Sequence, residues 1–466
     1  MFKTKIIEKK WQVLILICIG IFISTLDGSI VNIANPVIAK SLSVSMQEVQ
    51  WVVTSYMLII TATLLLFGKL GDQFGNIKVY TYGFLIFTIG SFICYMSPTL
   101  SFLIAARIFQ GIGASMMMAT GMGIVSNTFP AGERGKALGI TGSIVGIGNM
   151  SGPSIGGILI GHFSWPAIFL INIPIGLAGF FLGLKFFNMD AMKKKVRPDY
   201  WGNLLFALAL TFLMLGLSKE NTLNYELLIL GILILVLFFI NEKKQTYPLL
   251  DFRLFKVKNF VYGNIMGFAS YASQTAVFFM IPFYLDRILH LSPITAGLVM
   301  TLTPALMAIT APLAGSLSDR IGAPRLTSIA FILLILGHGT LSTLNGSNEL
   351  IRIAVGLILL GLGAGSFGSP NNSSIFGSLP KEKAGYVGGF IATIRNFAFA
   401  FGLAVSVSIF SHIYNNKILF LSSTAAYINA NMWIYRFTAA ICLGGLLVSV
   451  FSSHHRLLTK NNKVRL

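Results

Sequence analysis

Fourteen apolar runs of about twenty residues divide this chain, and that pattern excludes nearly every fold open to a water-soluble protein. A spanning α-helix needs about 17–25 predominantly apolar residues, because no backbone polar group can stay unpaired in hydrocarbon. The runs are expected near 11–34, 48–67, 79–97, 100–126, 136–161, 166–187, 201–218, 225–241, 261–285, 293–316, 324–344, 350–372, 384–412 and 432–452. With 55% hydrophobic and only 11% charged residues among 466, the chain reads as an all-α polytopic membrane protein. The first run follows the basic stretch MFKTKIIEKK, but it exceeds signal-peptide length and shows no small-residue cleavage site, so it is expected to stay as the first span.

A formal charge of +19 would point to nucleic acid in a soluble protein. Here the basic residues sit in short loops between apolar runs, so no nucleic-acid partner is expected and the charge sets orientation instead. Of the 34 Lys and Arg residues, Lys40, Lys219, Arg287, Arg352, Lys417 and Arg436 fall on one side, and Arg107 and Arg395 fall inside spans. All the others fall on the side of the two termini, which predicts a cell (cytoplasmic) membrane protein with both termini in the cytoplasm. Cys18, Cys94 and Cys442 lie in apolar runs without metal or redox spacing, so neither a metal site nor a disulfide is expected.

Two basic stretches, KKKVRPDYWGN (Lys193 to Asn203) and NEKKQTYPLLDFRLFKVKN (Asn241 to Asn259), bracket a pair of apolar helices with few polar residues. The expected division is a six-helix bundle over 1–187, a linker with two extra spans over 188–259, and a second six-helix bundle with a short tail over 260–466. The loops after the second span of each half repeat one pattern, G-x-L-x-D-x-x-G, in GKLGDQFGNIK (Gly68 to Lys78) and GSLSDRIGAPR (Gly315 to Arg325). Matched loops at equivalent places indicate duplication, and parallel repeats are a mark of transporters.

The stretch LDGSIVNIANP places Asp27 in the first span. The other fourteen acidic residues fall in loops or near predicted helix ends, so Asp27 is expected to be the one carboxylate at membrane depth. An ionised Asp at the bilayer centre costs at least about 2.5–3.5 kcal/mol, which calls for a partner or a proton. Arg107, about two turns into the fourth span, must face protein or water and an anion, unless it snorkels to the headgroups, and Gln110 continues its face at helical spacing. Asp27 with Arg107 is therefore expected to carry the proton-coupling step; the plainer alternative is a permanently paired structural carboxylate. Asn32, Tyr56, Gln110, Tyr271, Gln274, Arg395 and Asn396 are expected to line a substrate cavity between the halves, although interhelical packing explains the amides as well. Asp27 against Arg107 and Arg395 leaves one net positive charge at depth, which predicts poor transport of bivalent cations.

Together with RIFQGIGAS (Arg107 to Ser115), GNMSGPSIGG (Gly148 to Gly157) and WPAIFLINIPIG (Trp165 to Gly176), these stretches resemble the major facilitator superfamily, within it the fourteen-helix drug:proton antiporter family. The resemblance runs from about Trp11 to about Phe451. It implies the major facilitator fold, with Gly68, Asp72, Gly75, Lys78, Asp319, Arg320 and Gly322 as a conformational gate. It also implies Gly148, Gly152, Pro153, Gly156 and Gly157 as an antiporter motif whose bend serves as a rocking surface. The chain departs from the family at Gln73, Asn76 and Ile77, where basic residues are usual, and at Asn149, where tetracycline-exporting relatives carry a carboxylate.

The function this implies is proton-coupled efflux of lipophilic small molecules or drugs by alternating access, with the alternative of an exporter or flippase for an endogenous lipid or amphiphilic metabolite. The proton gradient stands in place of a cofactor; the partners are protons, a lipophilic small molecule and membrane lipids, and the chain is expected to act as a monomer. No convergent catalytic set and no Walker-type stretch appears, so an enzyme is not expected.

Overall fold

The computed structural model describes residues 2–186, 199–217, 224–245, 249–346, 349–379 and 384–464. Within these, the side chains of 2–9, 126, Asp319, 384–386, 453–464 and most of 131–143 lie outside the described set. Helices run in the order α1 (Phe2–Ser41), α2 (Met46–Phe74), α3 (Asn76–Tyr95), α4 (Leu100–Thr128), α5 (Ala131–His162), α6 (Ala167–Leu170), α7 (Asn172–Phe186) and α8 (Tyr200–Leu217). They continue as α9 (Tyr225–Lys244), α10 (Lys258–Arg287), α11 (Pro293–Met300), α12 (Leu302–Ile321), α13 (Ala323–Leu341), α14 (Glu349–Phe376), α15 (Ala384–Lys417) and α16 (Ser423–Val464). Fourteen segments are long and apolar enough to cross a membrane, the sixth built from α6 with α7 and the tenth from α11 with α12.

Those two interruptions share one cause. Proline has no N–H, so Pro174 and Pro304 each leave the carbonyl four residues back without its helical donor, and the chain is interrupted at Ile171 and Thr301. Pro36, by contrast, does not end its helix: α1 continues to Ser41, past the boundary near residue 34 expected from sequence. Membrane helices tolerate such prolines because neighbouring groups re-satisfy the freed backbone. The turn into α2 is closed by a capping box, in which the Glu48 N–H donates to Ser45 Oγ at 3.1 Å and the Ser45 N–H to Glu48 Oε2 at 2.7 Å.

In the first half α3 packs on α4, α1 on α5 and α7, and α2 on α4; in the second α13 and α12 pack on α14, and α10 on α15 and α16. The halves meet where α2 packs against α15, α5 against α11 and α12, and α1 against α10. The extra pair α8 and α9 lies outside this arrangement: α8 covers the α2/α15 seam through Leu58, Leu210, Met214, Ala400 and Ala404. Only 17% of the most apolar window of α9 is buried, which leaves that helix mostly to lipid.

At the ends that the charge asymmetry assigns to the outside, one apolar cluster joins both halves, from Ile30, Ile38 and Val49 of the first to Phe279, Phe283 and Met300 of the second. At the other ends the first half has its own cluster around Ile17, Leu64, Tyr80 and Ile124. The conformation is therefore closed at the end where that joint cluster lies. The duplicated loops share a backbone shape as well as a pattern. Gly75 between α2 and α3 has φ +101°, and Gly322 between α12 and α13 has φ +91°, a region that glycine enters without steric cost.

Candidate functional site

Helices α1, α2, α3, α4 and α7 converge on a buried charged centre in the first half. Arg107 Nη1 donates to Asp27 Oδ2 at 2.6 Å and to Gln110 Oε1 at 2.6 Å. The other carboxylate oxygen, Oδ1, accepts from Gln110 Nε2 at 2.9 Å and from Asn172 Nδ2 at 2.8 Å. Gln110 Nε2 also donates to Ser91 Oγ at 2.8 Å, and Arg107 Nε to the Val52 carbonyl at 3.1 Å. The guanidinium carbon lies 3.9 Å from the ring centroid of Tyr56, within cation–π range. Asp27, Arg107, Gln110, Ser91 and Asn172 are all sealed from solvent.

Burying a charge without a partner is costly, so each side chain here serves the pair. The arrangement surrounds the Asp27 carboxylate with three side-chain donors, and among the described residues it leaves the Tyr56 hydroxyl and Asn172 Oδ1 buried without partners. Asp27 and Arg107 are thus brought together as expected. Tyr56 and Gln110, expected at a substrate cavity, instead belong to this sealed network: one is the ring under the guanidinium, the other the amide bridging cation and anion.

Sequence reasoning missed Asn172 and Ser91. The first sits just past the interruption at Ile171, within the quoted stretch WPAIFLINIPIG, and an amide one residue beyond a proline-induced break in an apolar span was the available signal. Three more carboxylates, Asp199, Glu242 and Glu349, are also buried, all at or next to helix ends and away from the depth of Asp27. Glu349 at the start of α14 accepts from the Tyr284 hydroxyl and from the Asn345 N–H at 2.6 Å. Glu242, near the end of α9, accepts from the Leu250 N–H at 2.8 Å, and Lys69 of α2 is within electrostatic reach of it and of Asp199. All three lie where the sequence places them; tertiary packing buries them.

The antiporter motif uses two faces of α5. A Cβ on Gly148 or Gly152 would fall on Thr25 or Ser29 of α1, and one on Gly156 would press on Ile30 and Ile33. Gly157 turns the other way, onto the Pro293 carbonyl and Gly297 of α11, and the Pro153 carbonyl faces Gly297. Close by, Ser154 Oγ and Thr301 Oγ1 are 2.6 Å apart across the seam. One glycine run therefore lets α5 lie flush against its own half and against the other half.

The gate residues whose side chains are described lie at the surface or in the turns. Asp72 is exposed in the last turn of α2, at the wrong end of that helix for dipole stabilisation, and makes no hydrogen bond or ion pair with the described residues. Lys78 and Arg320 are exposed, Gly68 has open space around it, and Gly75 and Gly322 form the turns. The side chain of Asp319 lies outside the described residues.

In the second half, Tyr271 of α10 meets Phe399 of α15 and Phe367 of α14 edge to face, at centroid distances of 5.6 and 6.4 Å. Arg395 is half-buried, lies within electrostatic reach of the Tyr271 phenol, and makes no hydrogen bond or ion pair with the described residues. Gln274 and Asn396 are buried and turned back on their own helices, donating to the Ser270 carbonyl at 3.0 Å and the Ala392 carbonyl at 2.8 Å. Asn32 is half-buried and likewise donates to its own helix, to the Gly28 carbonyl at 3.3 Å.

The family model of the Major Facilitator Superfamily matches residues 17–403 and, overlapping, 263–454. The chain belongs to the major facilitator superfamily. It is similar to the riboflavin transporter RibZ of Clostridioides difficile (strain 630), 50% identical over 447 residues that cover 95% of this chain and 98% of that one. It is also similar to the tetracenomycin C resistance and export protein of Streptomyces glaucescens, 29% identical over 405 residues, covering 85% and 75% of the two chains. Among solved structures, it resembles a bacterial homologue of the human lysosomal transporter Spinster in an inward-facing, unoccupied conformation, with 12% identity, a TM-score of 0.68 and 96% and 97% of the chains covered. That last likeness concerns the fold. As a major facilitator transporter, the chain is a multi-pass membrane protein that handles a small molecule.

Proposed function

We propose that this major facilitator transporter carries riboflavin, or a flavin with the same ring system, across the cell membrane, driven by the proton gradient through Asp27 and Arg107. The observation that carries the substrate is the 50% identity, across nearly the whole of both chains, to a transporter named for riboflavin. The second half supports it chemically: Tyr271, Phe367 and Phe399 offer aromatic faces and edges, and Arg395 offers unused donors, which suits a planar ring with polar atoms on its rim. Both termini face the cytoplasm in this reading, and the conformation closed at the outer end is the inward-facing one.

Coupling follows from burial. With both partners ionised, the Asp27–Arg107 pair is satisfied and dry in this conformation. Opening the outer seam wets it, and a proton arriving on Asp27 releases the Arg107 guanidinium to water and to Gln110. Protonation then favours one conformation over the other by the difference in contacts, which is all a coupling ion needs to do.

A second reading, export of a lipophilic drug, is favoured by the likeness to the tetracenomycin C export protein. Purified protein in proteoliposomes separates the two. Radiolabelled riboflavin, a monovalent cationic dye and a neutral lipophilic drug are each tested under pH gradients of both signs. Riboflavin is expected to accumulate under one sign of gradient and to stop when a protonophore is added. Uphill movement of the dye or the drug with none of riboflavin would replace the flavin reading with drug export.

A further inference from the structure

Arg395 lies eleven residues into the 34-residue helix α15, about 16 Å along it from its start, well inside the membrane-crossing stretch. A guanidinium at such depth stays charged and presents five N–H donors, so it must meet water or an acceptor. Arg107 meets that demand with Asp27, Gln110 and the Val52 carbonyl. Arg395 meets it with none of the described residues. Its position shows where the donors lead. Ala392 and Phe399, three residues before and four after, share its face of α15. Ala392 packs on the inner apolar cluster of the first half, and Phe399 meets Tyr271 edge to face. The guanidinium therefore stands at the junction of the two halves, beside a Tyr–Phe ring pair.

We infer that Arg395 is the residue that selects the flavin ring, its guanidinium fork donating to one carbonyl and the unprotonated ring nitrogen beside it (C2=O with N1, or C4=O with N5) while Tyr271 and Phe399 hold the ring plane. This rests on the flavin reading above. The isoalloxazine offers, side by side on one rim, the planar acceptor pair that a guanidinium matches and an ammonium does not. The ligand is neutral, so the cation is hydrogen-bonded and not neutralised, and a bivalent cation in the same place meets repulsion from Arg395 with no nearby carboxylate among the described residues.

The test is flavin-fluorescence titration of the full-length protein in nanodiscs, with wild type, Arg395→Met, Arg395→Lys and Arg395→Gln. Each is titrated with riboflavin, with lumiflavin (the same ring without the ribityl chain) and with FMN. Monodispersity and melting temperature confirm that each variant is folded. Arg395→Met is expected to weaken riboflavin and lumiflavin equally, by about 10- to 100-fold, as the loss of charged hydrogen bonds requires. Arg395→Lys is expected to recover only part of that, because it restores charge without the fork. Equal affinity of wild type and Arg395→Met for both compounds overturns the inference and leaves the proposed function standing. Loss confined to FMN puts Arg395 on a phosphate, and loss confined to riboflavin puts it on the ribityl chain; either also overturns it. Wild type that binds no flavin overturns the inference together with the proposed function.

Discussion

Arg107 and Arg395 both lie inside spans of this chain, and their surroundings are opposite. Arg107 is sealed among α1, α2, α4 and α7, with its carboxylate, an amide, a carbonyl and a tyrosine face. Arg395 is half-exposed between the halves, with two aromatic rings nearby and no anion among the described residues. The same cost of putting a guanidinium in a membrane is met in two ways. In the first half the protein supplies the partners itself, which makes the site part of the structure and the proposed seat of coupling. In the second half the partners are left to water and to cargo.

The largest effect should come from breaking the first arrangement. Arg107→Met leaves Asp27 buried without its cation, a loss of about 3–5 kcal/mol in stability when one partner of a buried pair is removed. Arg395→Met, whose side chain has no hydrogen-bond or ion-pair partner among the described residues, should change stability by no more than about 0.5 kcal/mol. Thermal unfolding of the two variants in one detergent reads this difference directly, and equal losses would dissolve the contrast between the two sites.

Next in size is the seam of α5. Gly152→Leu drives side-chain atoms into Ser29 and should cost about 1–3 kcal/mol and block transport, as overpacking does, whereas Gly444→Ala, with open space around its site, should do neither. Melting temperature and riboflavin flux measured on both variants test it. A smaller effect is expected for Asn172→Ala, which removes one of three side-chain donors to Asp27 and should cost about 1 kcal/mol while weakening proton-driven transport more than it weakens riboflavin exchange. The smallest effect on stability belongs to Asp72→Asn: with no partner among the described residues, it should leave the melting temperature unchanged. Its effect should appear as a shift of about 1–3 kcal/mol toward the inward-open state, read by cysteine accessibility at the inner face.

The comparison also explains what could be read from the sequence. Fourteen spans were legible because lipid forces long apolar runs, and Asp27 and Arg107 stood out because charge at depth is rare. The duplicated loops could be matched by pattern, and Gly75 and Gly322 carry that match into backbone geometry. Boundaries were less legible: Pro36 looks like a helix stop and is none, because the stop rule belongs to water. For neutral polar residues the sequence carries little sign of facing. Gln110, Tyr56 and Asn172 are each one polar group in an apolar run, and only the convergence of α1, α2, α4 and α7 makes them ligands of one ion pair. Glu242 and Glu349 look like ordinary acids at helix ends until neighbouring segments close over them.

The central claim is that Asp27 is where protons and cargo are exchanged. Its most direct test is proton flux into proteoliposomes, reported by a trapped pH-sensitive dye, when a riboflavin gradient alone is imposed on wild type and on Asp27→Asn. A riboflavin gradient should drive proton movement in wild type, while Asp27→Asn should still exchange riboflavin for riboflavin and move no protons. Proton movement by Asp27→Asn equal to that of wild type would contradict the assignment and leave the Asp27–Arg107 pair a structural one.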